Sequence, residues 1–224
     1  MPRVLAFDVN ETLLDLAALD GSFKSTFGTP AVRTQWFGQM LQLAFVGGLT
    51  GDYVDFSTAQ RAALTMVAEV QGVTVDDAAA QEIVDGMRAL PPHPEVGAAL
   101  ARLAGAGLAL AALTNSPLEV ARTQLEHAGL VGRFDAILSA DEVRALKPRP
   151  EPYALVAERF GVERAEVRLV AAHAWNVSGA LAAGCAAAFV ARPGKVLSPL
   201  GPQPDIVGGD LDAVAERILA VDVP

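Results

Sequence analysis

The sequence predicts an α/β fold, and three observations support that class. After Pro91-Pro92, short apolar segments alternate with segments of helical spacing to the end of the chain, which is the pattern of a parallel sheet covered by helices. The predicted strands are nearly continuous apolar runs, as expected when both faces of a sheet are buried. Residues 31–90, by contrast, show helical spacing and no convincing strand. We therefore predict a Rossmann-like parallel sheet with helices on both faces and a helical cap inserted after its first strand.

The first elements are a strand and the inserted helices. The segment VLAFD, residues 4–8, reads as a short buried strand that ends in a carboxylate. The insertion carries an apolar stripe at helical spacing, formed by Trp36, Met40, Leu43 and Val46. Helices are predicted at residues 32–46, 57–71 and 75–90. The predicted core domain comprises residues 1–13 and 92–224, and the predicted cap domain comprises residues 14–91.

The rest of the chain alternates between helices and strands. Gly129 and Gly184 follow two of the helical segments, where a glycine commonly ends a helix. The segment 193–209 is rich in proline and glycine and is predicted to be a long loop. Strands are predicted at residues 108–114, 134–139, 167–172 and 186–191, and helices at 95–106, 117–128, 152–160, 175–183 and 211–220.

Composition excludes several classes of protein. The 224 residues are 52% hydrophobic and carry a net charge of -9, which disfavours a nucleic-acid binder or a protein held on anionic membranes. Cys185 is the only cysteine, so an intramolecular disulfide and a cysteine-cluster metal site are both excluded. The apolar stretches are far shorter than the ~20 residues of a membrane span, and the start of the chain lacks a signal-peptide pattern. We expect a cytoplasmic protein.

Polar side chains follow the predicted strands at the points where those strands end. Because ligands bind at the carboxyl ends of parallel strands, these side chains should share one site. A carboxylate beside a lysine is suited to nucleophilic catalysis, since the lysine keeps the carboxylate ionised. The side chains concerned are Asp8, Thr12, Thr114, Asn115, Lys147, His173 and Asn176.

Four segments resemble motifs of the haloacid dehalogenase superfamily, and they occur in the family's order: FDVNETLLD, LALAALTNS, LKPRPEPY and LVAAHAW. Phosphatase members carry Asp-x-Asp-x-Thr/Val in the first motif, whereas Asn10 takes the place of the second aspartate here. Residues 171–176 also lack a carboxylate, and Mg²⁺ prefers carboxylate oxygens among its ligands. The chain is therefore similar to the metal-independent type II (L-)2-haloacid dehalogenases, a resemblance that implies neither a metal nor a cofactor.

The resemblance implies a two-step reaction on a short halogenated carboxylic acid. Asp8 would displace the halide from C2 of the acid, and water would then hydrolyse the resulting aspartyl ester. Lys147 matches the lysine that pairs with the nucleophile, and Thr12 matches the hydroxyl that orients it. The resemblance also allows a homodimer. The substrate-binding residues that it implies are Val9, Asn10, Phe37, Leu41, Phe56, Thr114, Asn115, Tyr153 and Trp175.

Three positions depart from the family pattern. Phe37 replaces a cap arginine, His173 replaces an asparagine, and Asn176 replaces the aspartate that supports the lysine and the hydrolytic water. Because an amide cannot act as a base, ester hydrolysis should be slower than ester formation unless His173 takes over, which an imidazole titrating near neutrality can do. Two alternatives stay open: a phosphatase, and a catalytically silent protein that binds a small acid.

Overall fold

The computed structural model describes residues 1–223, and they contain one six-stranded sheet of the order β3-β2-β1-β4-β5-β6. Every neighbouring pair of strands in it is parallel. The predicted α/β class with a parallel sheet is confirmed. The strands are β1 (Val4–Phe7), β2 (Ala109–Thr114), β3 (Ala136–Ser139), β4 (Val167–Ala171), β5 (Ala186–Val190) and β6 (Ile206–Gly208).

Strand β1 lies at the centre of the sheet because both of its faces are apolar. Its four residues are all buried, and Val4 pairs with Ala109 of β2 on one side and Val167 of β4 on the other. The backbone N–H of Asp8, the next residue, still donates to the Val170 carbonyl at 3.0 Å. The sheet therefore delivers Asp8 to its carboxyl edge in a fixed position.

Helices connect the strands. Helix α3 illustrates how their ends are specified: the Asp55 side chain accepts hydrogen bonds from the backbone N–H groups of Ser57 and Thr58, and Gly72 ends the helix at a φ of 65°. The helices are α1 (Asp20–Phe27), α2 (Val32–Thr50), α3 (Phe56–Gln71), α4 (Asp77–Gly86), α5 (Val96–Gly105), α6 (Leu118–His127), α7 (Pro150–Phe160), α8 (Ala174–Ala182) and α9 (Leu211–Asp222).

The elements differ from the predicted ones in four places. Helix α2 was predicted to end at residue 46 and continues to Thr50. Strand β6 lies within 193–209, a segment predicted to be a loop; its three residues are too few to show a pattern of their own. Helix α1 was not predicted, since a single buried side chain, Phe23, anchors it. The helix predicted at 75–90 is shorter, because α4 ends at Gly86 and a 3₁₀ turn, Met87–Ala89, follows.

Helices α1–α4 lie between β1 and β2 in the chain, and Trp36 of α2 packs against α1 and α3. The Trp36 ring is fully buried, its Nε1 donates to the Gln60 carbonyl of α3 at 2.9 Å, and the Phe23 ring lies 5.2 Å from it. This packing turns Phe37 of α2 toward the carboxyl edge of the sheet.

The domain boundaries at residues 13/14 and 91/92 stay a prediction. Among the helices of residues 1–223, none has the length and apolarity needed to cross a membrane.

Gly179 provides a test of how tightly α8 packs against Pro148 and Tyr153. A Cβ at this position would lie 2.6 Å from both the Pro148 Cβ and the Tyr153 hydroxyl, and real Cβ atoms do not come so close. Gly179→Ala should therefore lower the free energy of unfolding by about 1–3 kcal/mol, the usual cost of overpacking. The midpoint of urea denaturation measures the effect.

Gly38→Ala is the matched control, since Gly38 is exposed within α2 and a Cβ there meets no atom within 4 Å. This substitution should stabilise the protein by roughly 0.5–1 kcal/mol, the gain expected of alanine over glycine in a helix. Equal effects of the two substitutions would show that α8 is not tightly packed against Pro148.

Candidate active site

Asp8 is the centre of a polar cluster at the carboxyl edge of the sheet. Its side chain is 8% exposed, and its two oxygens have different partners. Oδ1 accepts a hydrogen bond from Lys147 Nζ at 2.8 Å, and Oδ2 accepts one from Thr12 Oγ1 at 2.8 Å. Since Thr12 Oγ1 itself accepts from the Ala172 N–H at 2.9 Å, its single proton is directed to Asp8.

Lys147 is completely buried, and the end of β2 holds it in place. Its Nζ donates to the Leu113 carbonyl at 2.6 Å as well as to Asp8. Asn115 fixes the backbone of the lysine from both sides: its Oδ1 accepts from the Lys147 N–H at 2.8 Å, and its Nδ2 donates to the Lys147 carbonyl at 3.2 Å. The position of the ammonium therefore follows from the sheet.

His173 lies between two carboxylates. Its Nδ1 is 2.9 Å from Asp8 Oδ2, and its Nε2 is 2.9 Å from Glu11 Oε2. Lys195 Nζ donates to the same Glu11 oxygen at 2.6 Å. Because ionised carboxylates only accept hydrogen bonds, both ring nitrogens must carry protons, so His173 is an imidazolium in this arrangement.

The pKa values of these groups follow from burial and charge. Burial raises the pKa of Asp8, but the charges of Lys147 and His173 outweigh that effect and hold it well below its usual range. Burial lowers the pKa of His173, whereas its bonds to Asp8 and Glu11 raise it, and the net shift is upward. Burial likewise raises the pKa of Glu11, and His173 and Lys195 bring it below its usual value. The cluster therefore holds alternating charges at neutral pH.

A small cavity of about 10 Å³ adjoins Asp8, which is the space of about one water molecule. A larger surface cleft of about 480 Å³ lies beside Arg3, at the amino ends of the strands, where a parallel sheet does not place its active site. The residues that line the small cavity are Asp8, Asn10, Phe37, Leu41, Phe56, Thr114, Asn115, His173 and Trp175.

Aromatic side chains form the walls of the cavity around His173. The Phe37 ring stacks on the imidazole at 5.7 Å with an interplanar angle of 14°, and the Trp175 ring lies 5.3 Å from it. Lys195 Nζ is 5.7 Å from the centre of the Phe37 ring. The Phe37 ring therefore lies against two cationic side chains, those of His173 and Lys195.

Two of the predicted substrate-binding residues lie outside this lining. Val9 packs into the hydrophobic core, with its carbonyl accepting from the backbone of Leu13. Tyr153 is buried beneath the site, where its hydroxyl donates to Asn176 Oδ1 at 2.7 Å. Asn176 is fully buried; its Nδ2 has no hydrogen-bond partner in residues 1–223, and its side chain is bonded to neither Asp8 nor Lys147.

Asn10 lines the cavity with an amide that is held by neighbours. Its Oδ1 accepts from Gln124 Nε2 at 3.0 Å, and its Nδ2 is 3.4 Å from Ser116 Oγ. No group of three or more His, Cys, Asp or Glu side chains within residues 1–223 is arranged to hold a metal ion. Both Asp8 oxygens instead face protonated groups.

Three residues of the site, Glu11, Gln124 and Lys195, were not predicted from the sequence. A signal existed for Glu11, which lies in the first motif three residues after Asp8. The sequence contains no such signal for Lys195, because this residue lies in the segment predicted to be a long loop. Gln124 reads as an ordinary helix residue, and only the fold brings it to Asn10.

Comparison with known proteins shows which family the sequence resembles. A family model described as haloacid dehalogenase-like hydrolase matches residues 2–184. The haloacetate dehalogenase H-2 of Moraxella sp. (strain B) is 32% identical over 218 residues, which cover 96% of this chain and 97% of that protein. The (S)-2-haloacid dehalogenase of Pseudomonas sp. (strain YL) is 30% identical over 95% of this chain and 92% of its own length.

The fold is shared with solved structures. The L-2-haloacid dehalogenase from Xanthobacter autotrophicus with chloropropionic acid covalently bound superposes with a TM-score of 0.91. The two sequences are 26% identical, and the match covers 99% of each chain.

The charge pattern around His173 can be tested directly. Asp8→Asn removes one of the two carboxylates that stabilise the imidazolium, so the pKa of His173 should fall. An NMR titration of the imidazole Cε1 proton measures it, with the exposed His127 of α6 as an internal resonance that should not respond to the substitution. An unchanged His173 midpoint would contradict the assigned contact with Asp8.

Proposed function

The chain belongs to the family of haloacid dehalogenase-like hydrolases, and we propose that it hydrolyses a short 2-haloalkanoic acid to the 2-hydroxy acid through a covalent ester on Asp8. The observation that carries the proposal is the state of Asp8: a buried carboxylate, kept ionised by Lys147 and oriented by Thr12, opens onto a small cavity that apolar side chains line in part. A carboxylate in such a position is a nucleophile. The Xanthobacter relative holds chloropropionic acid covalently.

The first step is a displacement by Asp8. Oδ2 already accepts hydrogen bonds from Thr12 and His173, whereas Oδ1 accepts one from Lys147. Oδ1 therefore keeps a lone pair for attack on C2 of the substrate. The new C–O bond forms as the carbon–halogen bond breaks, with inversion at C2, and the halide takes the electron pair.

The departing halide meets a site with favourable polarity. Asn115 and Trp175 line the cavity, and the imidazolium of His173 adds positive charge between the aromatic walls. Fixed positive charge aimed at the leaving group stabilises the anion that develops there. This charge is supplied from the sheet, not from the cap position that Phe37 occupies.

The second step needs a water molecule at the ester carbonyl and a base. Asn176 is unsuited to that role, because an amide does not accept a proton usefully and its Oδ1 already accepts from Tyr153. Two titratable side chains contact Asp8: Lys147, the ammonium that pairs with it, and His173, whose imidazole is the commonest general base in enzymes. We assign water activation to His173.

Two alternatives are less well supported. A phosphatase would need an acid/base carboxylate where Asn10 stands, and the Asn10 amide is instead bonded to Gln124. A silent binding protein would not need an ionised Asp8 with a free lone pair.

A cytoplasmic location and a homodimer stay predictions.

The test is a halide-release assay with chloroacetate, bromoacetate and both enantiomers of 2-chloropropionate. Asp8→Asn should reduce release by about 10³-fold or more, as removal of a nucleophile does, while the circular dichroism spectrum stays unchanged. A single turnover in H₂¹⁸O should place the label on Asp8. EDTA should leave the rate unaltered, because Lys147 and His173 occupy the positions around Asp8 that a metal would need.

Two results would contradict the proposal. Near-parental halide release by Asp8→Asn would exclude the ester, and Mg²⁺-dependent hydrolysis of p-nitrophenyl phosphate without halide release would favour the phosphatase.

The small cavity predicts a preference for small acids. Leu41, on α2, narrows the space above Asp8, so kcat/KM should fall from chloroacetate to 2-chlorobutyrate. The preference is measured as kcat/KM for chloroacetate divided by kcat/KM for 2-chlorobutyrate. Leu41→Ala should reduce that ratio by roughly 10-fold or more, the discrimination that one or two methylenes can give. Leu49→Ala, on the same helix but with Leu49 88% exposed, should leave the ratio as it is. A ratio unaffected by Leu41→Ala would place this residue outside the pocket.

A further inference from the structure

We propose that Glu11 is a positioning residue for His173, so that Asp8, His173 and Glu11 act as a nucleophile, a base and an orienting carboxylate. This inference rests on the proposed function and concerns its second step. A nucleophile, a base within hydrogen-bond reach of it, and a third group that orients the base form the usual arrangement of covalent catalysis. The chain supplies all three with contacts of 2.9 Å.

The conformation of Glu11 supports a dedicated role. Its φ is 60°, a left-handed conformation that residues other than glycine seldom adopt. Such conformations cost free energy and persist where the surrounding structure requires them. In this conformation the Glu11 carboxylate reaches the far nitrogen of His173 and is largely buried, with 11% of its side chain exposed.

Glu11 determines which nitrogen of His173 can react. The Glu11 carboxylate accepts from Nε2 and keeps a proton on that nitrogen. Nδ1, the nitrogen beside Asp8, is then the one that exchanges its proton. The base thus lies against Asp8 Oδ2, the oxygen that becomes the carbonyl oxygen of the ester.

The charges around His173 change when the ester forms. In the free enzyme the facing charged groups are Asp8 and Glu11, with Lys147 beyond Asp8 and Lys195 beyond Glu11. Helices α2 and α8 contribute the uncharged rings of Phe37 and Trp175. Esterification neutralises Asp8, so one of the two carboxylates that stabilise the imidazolium is lost and Nδ1 releases its proton to solvent.

The protons balance over the full cycle. In the ester, neutral Nδ1 takes a proton from the attacking water, whose oxygen bonds to Asp8 Cγ. The imidazolium then protonates the alkoxide oxygen as the bond from Cγ to that oxygen breaks, and the 2-hydroxy acid leaves. Asp8, now a carboxylic acid, returns its proton to Nδ1. Each turnover therefore converts haloacid and water into hydroxy acid, halide and one proton.

Lys195 moderates the effect of Glu11. An unbalanced Glu11 carboxylate would keep His173 protonated even in the ester, and the Lys195 ammonium offsets part of that charge. Lys195 also borders a cleft of about 300 Å³ that Glu11 and Arg33 line. The far side of the Glu11–His173 pair is therefore close to solvent.

The test separates the two steps by rapid quench with chloroacetate, measuring the first release of halide and the later decay of the Asp8 ester by mass spectrometry. Glu11→Gln keeps a hydrogen-bond acceptor but removes the charge. It should slow ester decay by about 10²-fold, within the range that a positioned base contributes, and should affect the first halide release much less. The ester should accumulate.

The pH dependence of ester decay distinguishes positioning from a structural role. Glu11→Gln removes a negative charge from the imidazolium, so the rising limb of the rate should move to lower pH. Lys195→Met removes a positive charge next to Glu11, so the limb should move to higher pH. Shifts in opposite directions are not expected from general damage to the fold.

Glu126→Gln, which removes a charge from the exposed surface of α6, is the matched control and should change neither step. If halide is released and ester decay in Glu11→Gln keeps the parental rate and pH limb, the positioning role is wrong while the proposed function stands. If the parent releases no halide from any haloacid, the proposed function itself fails. If Glu11→Gln does not fold, the pH dependence of ester decay in Lys195→Met is the test. A rising limb at the parental pH in that variant would overturn the inference.

Discussion

The buried ion pair between Lys147 and Asp8 is the interaction on which the rest of the site depends. Both charges are removed from water, which is favourable only when geometry and further hydrogen bonds compensate for the lost solvation. The structure provides these from separate elements: the end of β2 supplies the Leu113 carbonyl, and Thr12 supplies a hydroxyl. Removing either partner would leave an uncompensated buried charge, so the fold and the nucleophile are stabilised by the same contacts.

A chain of alternating charges extends from this pair. Lys147, Asp8, His173, Glu11 and Lys195 follow one another at hydrogen-bond distances. Three cations against two anions leave one positive charge, which matches a monoanionic substrate. The family's cap arginine would add a cation next to His173 and Lys195 and be repelled by both. Phe37 packs there as an apolar ring instead, which accounts for the departure from the family pattern.

The sequence predicted the parts of the site that short segments determine. Asp8 and Lys147 were predicted because each lies in a local motif: Asp8 directly follows β1, and Lys147 lies in the loop between β3 and α7. Glu11 was missed although it lies in the same motif, since its role depends on a left-handed backbone conformation that sequence alone does not reveal. Lys195 depends on the path of the chain between β5 and β6, and β6 has only three residues. Long-range packing decides such positions, and no local pattern records it.

The two departures from the family pattern in the fourth motif, His173 and Asn176, are related to each other. An aspartate at position 176 would place a buried carboxylate against the Tyr153 hydroxyl. Asn176 removes that charge, and its Oδ1 still accepts from Tyr153. His173 then brings a base to the other side of Asp8, and Glu11 supplies the carboxylate that the motif has lost. In the mechanism we propose, the negative charge that supports hydrolysis thus lies in the turn after β1 and not on α8, and it acts through the imidazole of His173.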